Sequence, residues 1–200
     1  MSIDAKLVRD LREKTGAGMM DCKKALIESN GDINLALDYL RKSGIAKAEK
    51  KSSRDAKEGI IYSYIHNGSK LGVMLELGCE TDFVAKTEGF IELANNIAMQ
   101  IAATNPLAIN KENIDSSILA KEKEIYTDQA KSTGKPDNVI EKIVEGKLNK
   151  FVEDNCLMHQ TFIKNPDQNI TQLLQESVAK IGENITRSEE HTSELQSPDH

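Results

Sequence analysis

The sequence predicts an α+β protein, in which a small N-terminal unit of three helices precedes a core of antiparallel sheet with flanking helices and a helical hairpin. Three observations support this prediction. Apolar residues recur at helical spacing over the first 44 residues, alternate with a period of two in two short segments, and return to helical spacing beyond residue 88. The alternating segments predict a β-hairpin, and the later helical pattern predicts a helix that lies across it.

Residues 1–44 predict three helices in one compact unit. The segment "TGAG" separates the first helix from the second, "MMDCKKALIESN", and "DINLALDYLRKSG" forms the third. Asp32 is a favourable N-cap for the third helix, and Gly44 is expected to end it. Residues 45–58, "IAKAEKKSSRDAKE", are almost wholly polar after Ala48 and predict a linker, either helical or flexible.

Residues 59–187 are expected to form the core. The strands "GIIYSYIH" and "LGVMLELGC" are joined by the turn "NGSK", and the alternation places Cys79 on the same face as Leu75 and Leu77. A helix that begins near Phe90 ends at "TNP". Two helices, over residues 115–132 and 137–153, predict the helical hairpin at 115–153. "NITQLLQESVAKIG" predicts a last helix, and "ENIT" predicts the start of a strand.

The end of the chain differs from the domain before it. Residues 188–200, "SEEHTSELQSPDH", contain a single apolar residue, Leu195, and show no periodicity. Their back-translation resembles the read-through of a sequencing-library adapter. We therefore interpret them as a non-native tail, too polar to fill a strand position in the core sheet, and expect them to lie away from it.

Composition disfavours several classes of function. The net charge is −6, and no basic block is long enough to act as a nucleic-acid arm. The three cysteines form no CxxC pair and have no histidine at ligand spacing, which predicts reduced thiols rather than a metal site. Neither a signal peptide nor a run of 18 apolar residues is present. The sequence predicts a soluble, cytoplasmic protein that binds neither nucleic acid nor membrane.

The segment "CETDFVAK", at the point where the second strand gives way to a helix, is the principal candidate site. In a purely structural interpretation, Thr81 or Asp82 caps the short helix and Phe83 or Val84 packs into the core. In a functional interpretation, Asp82 and Phe83 project together from the turn, and an exposed phenylalanine implies a partner. The sequence alone leaves both interpretations open.

Other candidate residues also have two interpretations. Met19 and Met20 either contribute one core side chain or form a polarizable contact with a partner helix. Cys79 and His66 raise the possibility of a thiol enzyme, but the alternation predicts a buried Cys79 and no third group orients the pair. No phosphate-binding loop is present, so no nucleotide or other cofactor is expected on the chain itself.

Several long motifs resemble one known family. "LVRDLREKTGAGMMDCKKALIESNGDINLALDYLRKSG" is similar to the N-terminal ubiquitin-associated-like domain of bacterial elongation factor Ts, and "CETDFVAK" resembles the signature of its core. "NIAMQIAATNP", "KEKEIY", "IVEGKLNKF" and "KIGENI" continue the similarity to about residue 185. The length resembles the short, single-core form of the family.

The resemblance implies a guanine-nucleotide exchange factor for elongation factor Tu in translation elongation. It implies that Thr81, Asp82, Phe83 and Val84 reach into the GTPase near the nucleotide phosphates and displace Mg²⁺. It also implies partner contacts by Arg12, Met19, Met20 and His66, and a homodimer in the intact family form. Exchange of this kind involves no covalent catalysis.

The alternative from another functional class is a helical protein-binding or chaperone-like module without exchange activity, which the first 44 residues could support alone. The sequence departs from the family after "KIGENI", where a final basic and aromatic strand is expected but "TRSEEHTSELQSPDH" follows. In the short family form that strand contributes to the sheet and to dimerisation, so the departure bears on both features.

Overall fold

The computed structural model describes residues 3–132 and 134–194, with only the backbone described for residues 187–194. The chain begins with helices α1 (Ala5–Thr15), α2 (Met19–Glu28) and α3 (Ile33–Lys51). Asp32 caps α3 as predicted, since its side chain accepts hydrogen bonds from the backbone N–H groups of Asn34 and Leu35. The three helices enclose a small core made of Val8, Leu11, Cys22, Ala25, Leu26 and Ala36.

The prediction that Gly44 ends the third helix is wrong, because α3 continues to Lys51. The continuation packs against a later helix, α8 (Ile170–Ile181). A Cβ atom placed on Gly44 would lie 3.3 Å from the Cβ of Ala179, so the glycine permits a close approach of two helices instead of ending one. Tertiary packing has overridden a local stop signal. The predicted boundary at residue 44 therefore falls inside a helix.

The main sheet consists of three antiparallel strands in the order β1 (Glu58–Ile65), β2 (Leu71–Cys79) and β5 (Ile185–Glu194). In the predicted hairpin, Glu58 pairs with Cys79 and Ile65 pairs with Gly72. Helix α5 (Glu88–Thr104) packs on the sheet and buries the alternate side chains of β2. The main core at this interface comprises Val73, Leu75, Leu77, Cys79, Phe90, Leu93, Ala94, Ile97, Ala98, Ile101 and residues of α8.

The helical hairpin is formed by α6 (Ser116–Lys131) and α7 (Asp137–Asn155), close to the predicted bounds. A short 3₁₀ turn (Lys111–Asn113) precedes it. A second sheet of two short strands, β3 (Thr161–Phe162) and β4 (Asn165–Asn169), lies between α7 and α8 and was not predicted. Its second strand is "NPDQN", which has neither alternation nor β-branched residues to indicate a strand.

The prediction that the tail lies away from the sheet is wrong for residues 188–194. The backbone of β5 pairs with β2 from Ile185, opposite Cys79, to Glu194, opposite Leu71, with a register shift opposite Leu75 and Leu77. Strand pairing uses main-chain N–H and C=O groups, so a polar segment can occupy the edge that β2 would otherwise leave unpaired. The rest of the tail, residues 195–200, lies outside the described part of the chain.

Candidate partner-binding site

The turn after β2 is built by two consecutive helix caps. Thr81 is the N-cap of the one-turn helix α4 (Asp82–Ala85), and its hydroxyl accepts a hydrogen bond from the backbone N–H of Val84 at 3.4 Å. Thr87 then caps α5, accepting from the N–H of Phe90 at 3.3 Å. Each of these polar caps satisfies one exposed N–H group at a helix start, and together they restrain the path of the chain between the two helices.

The side chains of "CETDFVAK" divide between the core and the surface. Thr81 provides the predicted cap, and the half-buried side chain of Val84 packs against the main core next to buried Ala85. Phe83 points to solvent, with 81% of its surface exposed. Because burying a phenylalanine ring is worth about 1.5–3 kcal/mol, an exposed ring on a well-anchored turn is available for contact with another molecule.

Asp82 stands beside this ring and is paired with Lys86 one turn later. The Lys86 ammonium lies 2.7 Å from a carboxylate oxygen of Asp82. This hydrogen bond lowers the pKa of Asp82 and raises the pKa of Lys86 from their ordinary values. Both side chains are exposed, so the pair contributes little to stability. The pair favours the charged form of the carboxylate that immediately precedes Phe83 in the chain.

The turn is also held by hydrogen bonds to Glu183, which lies in the connection between α8 and β5. The backbone N–H of Thr81 donates to one carboxylate oxygen at 3.0 Å, and the Thr81 hydroxyl donates to the other at 2.7 Å. Sequence reasoning did not single out this residue, because the contact spans 102 positions. The only sequence signal for it was its place in the segment "KIGENI".

A second contact holds the same two segments together one residue earlier. The backbone N–H of Asn184 donates to Glu80 at 2.7 Å, and the Arg54 guanidinium lies 3.4 Å from the same carboxylate. The Asn184 N–H contributes most to lowering the pKa of Glu80 below its ordinary value. The side-chain amide of Asn184 in turn donates to the carbonyl of Arg54 at 2.7 Å. Together, the contacts made by Glu80, Thr81, Glu183 and Asn184 join the turn to the connection between α8 and β5.

The geometry disfavours a thiol enzyme. Cys79 is fully buried, as predicted, and its thiol lies 3.1 Å from the carbonyl oxygen of Thr81. Burial and the nearby Glu183 charge raise the pKa of Cys79, which disfavours the reactive thiolate. His66 lies at the opposite end of the hairpin, where its backbone N–H donates to the carbonyl of Leu71 at 2.9 Å. The strands thus separate the thiol from the imidazole by about 25 Å.

The other predicted contact residues are exposed but distant along the chain from the turn. His66 is exposed, and its Nδ1 lies 2.9 Å from the hydroxyl of Tyr64. Met19 and Met20 begin α2 and are 45% and 74% exposed, so neither is a core residue. Exposed Arg12 lies in the last turn of α1, on the other side of the same short connection. Arg12, Met19 and Met20 therefore flank the connection between α1 and α2, which we call the N-terminal corner, whereas His66 lies at the turn of the hairpin.

Within residues 3–132 and 134–194, no three His, Cys, Asp or Glu side chains are grouped in a way that could hold a metal ion. In the same part of the chain, no helix combines the length and the apolar character needed to span a membrane.

Comparison with known proteins identifies the family. The model of the family described as "Elongation factor TS" matches residues 45–190, which is more than half of the chain. The chain belongs to the elongation factor Ts family. The match begins inside α3, covers β1, β2, the turn after β2 and the helical hairpin, and ends within β5.

Individual relatives agree with this assignment over nearly the whole chain. The chain is 62% identical to elongation factor Ts of Thermodesulfovibrio yellowstonii over 185 residues, covering 92% of each protein. It is 57% identical to elongation factor Ts of Thermosipho melanesiensis over 183 residues, covering 92% of the chain and 93% of the relative. For elongation factor Ts of Geotalea daltonii the identity is 55% over 186 residues, covering 93% of the chain and 86% of the relative.

The function follows from the family. The chain is a guanine-nucleotide exchange factor for elongation factor Tu and acts in translation elongation. The alternative, a helical binding module without exchange activity, is not favoured, because the similarity to elongation factor Ts includes the core and its turn.

Proposed function

We propose that the chain releases GDP by inserting the turn of Thr81, Asp82, Phe83 and Val84 beside the phosphate site of elongation factor Tu. The exposure of Phe83 carries this proposal. The ring projects to solvent from a turn in which Thr81 is held by Glu183 and Val84 packs against the main core. Bound GDP is held by Mg²⁺ and a phosphate-cradling loop. An apolar ring wedged behind that loop strains it, and the Asp82 carboxylate favours a rearranged polar network from which Mg²⁺ is lost.

Coupling between two binding equilibria supplies the driving force. The factor binds nucleotide-free elongation factor Tu more tightly than the GDP form, and reciprocity requires that it weaken GDP by the same factor. Weakening GDP by about 10⁴-fold requires about 5.5 kcal/mol of differential binding. One well-placed aromatic anchor within an interface of ordinary size can supply much of that energy.

Two further contacts are part of the proposal. Arg12, Met19 and Met20 form an exposed, partly apolar corner on the N-terminal helices, which suits a ubiquitin-associated-like domain that holds the partner. His66 lies at the far end of the hairpin from Phe83, so we assign it a separate contact instead of a place in the turn's own site.

This mechanism needs no covalent step and no bound cofactor. In this mechanism the chain makes and breaks no covalent bond, and the buried Cys79, whose pKa is raised, is not used as a nucleophile. Its place of action would be the cytoplasm, where translation elongation proceeds.

The decisive variant is Phe83→Ala, measured by the release of a fluorescent GDP analogue from elongation factor Tu. We expect the maximum release rate to fall by about tenfold or more, since loss of one interface anchor costs about 2 kcal/mol. The melting temperature should be unchanged, because the exposed ring contributes nothing to the core. Leu107→Ala, which shortens another exposed apolar side chain, is the matched control and should exchange normally. Parental exchange by Phe83→Ala would disprove the wedge.

We also propose a homodimer formed through the outer face of the main sheet. Ile61 and Ile65 of β1 and Met74 of β2 are exposed on the face opposite α5. Exposed apolar side chains grouped on one sheet face are typical of an interface.

The variant Ile61→Lys tests this interface and should shift the chain towards monomer in equilibrium sedimentation. Ile163→Lys, at an exposed apolar site outside this sheet, should leave the mass unchanged. An equal mass for all three proteins would contradict this interface.

A further inference from the structure

We infer that Glu183 is a positioning residue for nucleotide exchange: its carboxylate sets the conformation of the Phe83 turn before the partner arrives. This inference rests on the proposed role of Phe83 as the wedge. Glu183 itself is half-buried at the root of the turn and acts through Thr81.

The geometry of the contact fixes Thr81 in more than one direction. Each carboxylate oxygen of Glu183 accepts a different donor of the same residue, the backbone N–H at 3.0 Å and the hydroxyl at 2.7 Å. Two charge-assisted bonds to one residue restrain both its backbone and its side-chain rotamer. The hydroxyl also accepts from Val84, so the restraint passes directly into α4.

Glu183 can act as a support because the residues on both sides of it are themselves anchored. The carbonyl of Gly182 accepts from the ammonium of Lys51. Asn184 is only 4% exposed and donates from its backbone to Glu80 and from its side chain to the carbonyl of Arg54. The connection between α8 and β5 is therefore fixed to the segment that follows α3, and Glu183 extends from a fixed backbone.

The turn needs such a support because α4 is a single helical turn of four residues. Forming one isolated turn is unfavourable, since several dihedral angles are fixed for very few hydrogen bonds. Without Glu183, Phe83 would sample several orientations. Restricting the ring to one of them would then cost free energy in the step that displaces the nucleotide, and that step would be slower. Glu183 thus acts on the maximum rate of exchange more than on the first encounter with the partner.

The orientation of the ring can be measured without any partner. The sequence contains no tryptophan, so Phe83→Trp introduces a single indole at the tip of the turn. Time-resolved fluorescence anisotropy then reports local motion at position 83. Adding Glu183→Gln keeps the size of the side chain but replaces one acceptor oxygen with an N–H₂ group that faces a donor. We expect a larger amplitude of fast local motion. Adding Glu92→Gln instead alters an exposed acid on α5 whose carboxylate has no hydrogen-bond partner among the described residues, and this change should leave the motion unchanged.

Exchange is then measured with the native phenylalanine in place. For Glu183→Gln we expect the maximum rate of GDP release to fall by about threefold to tenfold, with the half-saturating concentration changed by less than about twofold. A purely structural role would lower the melting temperature and the active fraction without this split. Thr81→Val, which removes the hydroxyl donor from the other side of the contact, should give a rate defect of the same kind.

The outcomes separate this inference from the proposed function. Unchanged motion at position 83 in Glu183→Gln overturns the positioning role. If Phe83→Ala slows release but Glu183→Gln does not, the positioning role is also overturned, while the wedge stands. If neither variant slows release, the proposed function itself fails, and the inference fails with it.

Discussion

Glu80 links the root of the Phe83 turn to pH. The backbone N–H of Asn184, and then Arg54, hold its pKa below the ordinary value. A carboxyl group whose pKa is lowered by folding stabilises the folded chain above its unfolded pKa of about 4.3, and this contribution is lost as pH falls through the lower folded pKa. The stabilisation is therefore present at neutral pH and absent in acid.

Replacing Glu80 tests this linkage. Glu80→Gln should melt below the parental protein at pH 7, and the difference should shrink as the pH falls below about 4, where the parental carboxylate also becomes neutral. Circular dichroism melts over a pH series would measure it, with Glu92→Gln as the control. A constant difference in melting temperature at every pH would show that Glu80 acts through its shape and not through its charge.

At the scale of whole helices and strands, most of the fold was predictable because the relevant signals are local. The three N-terminal helices, the hairpin and the long helices α5 to α8 follow from apolar periodicity and from caps such as Asp32. The run of α3 past Gly44 was not predictable, since it depends on the approach of Ala179 from a distant part of the chain. The contact between Glu183 and Thr81 was missed for the same reason.

Two glycines inside helices allow the role of packing to be measured. Gly146 in α7 has open space where a Cβ would lie, so Gly146→Ala should raise the free energy of unfolding by about 0.5–1 kcal/mol. Gly44→Ala should gain less or lose stability, because its Cβ would press on Ala179 at 3.3 Å. Urea unfolding of both variants gives the comparison. An equal gain in the free energy of unfolding at both positions would show that α3 and α8 can move apart to accommodate the added methyl group without loss of stability.

At the scale of the whole molecule, α3 belongs to two hydrophobic cores. Its first half contributes Ala36 to the N-terminal core, and its second half contributes Ala48 to the main core. The two cores are separate clusters, although one helix runs through both. This arrangement predicts a main core that folds without the N-terminal helices, which α3 connects to it.

A chain that begins at residue 45 should therefore fold cooperatively and still present Phe83. It should bind elongation factor Tu more weakly, because it lacks the proposed contact made by Arg12, Met19 and Met20. Its melting temperature should fall by several degrees, since α8 loses part of its packing against α3. Thermal melts and titration against the partner measure the two effects. A chain that does not fold would show that the N-terminal helices belong to a single cooperative unit with the sheet.

The continuity of α3 has a consequence for avidity. A helix of 19 residues is about 28 Å long and behaves as a rigid spacer, whereas a flexible linker would let its two ends diffuse apart. In the proposed binding mode, contact of the corner near Met20 with the GTPase leaves Phe83 held at a set distance and direction, which raises its effective concentration at the phosphate site above that of a loosely tethered group. The same rigidity makes the spacing selective: a GTPase whose two docking surfaces lie a few ångströms closer or farther apart could engage one of them, but not both.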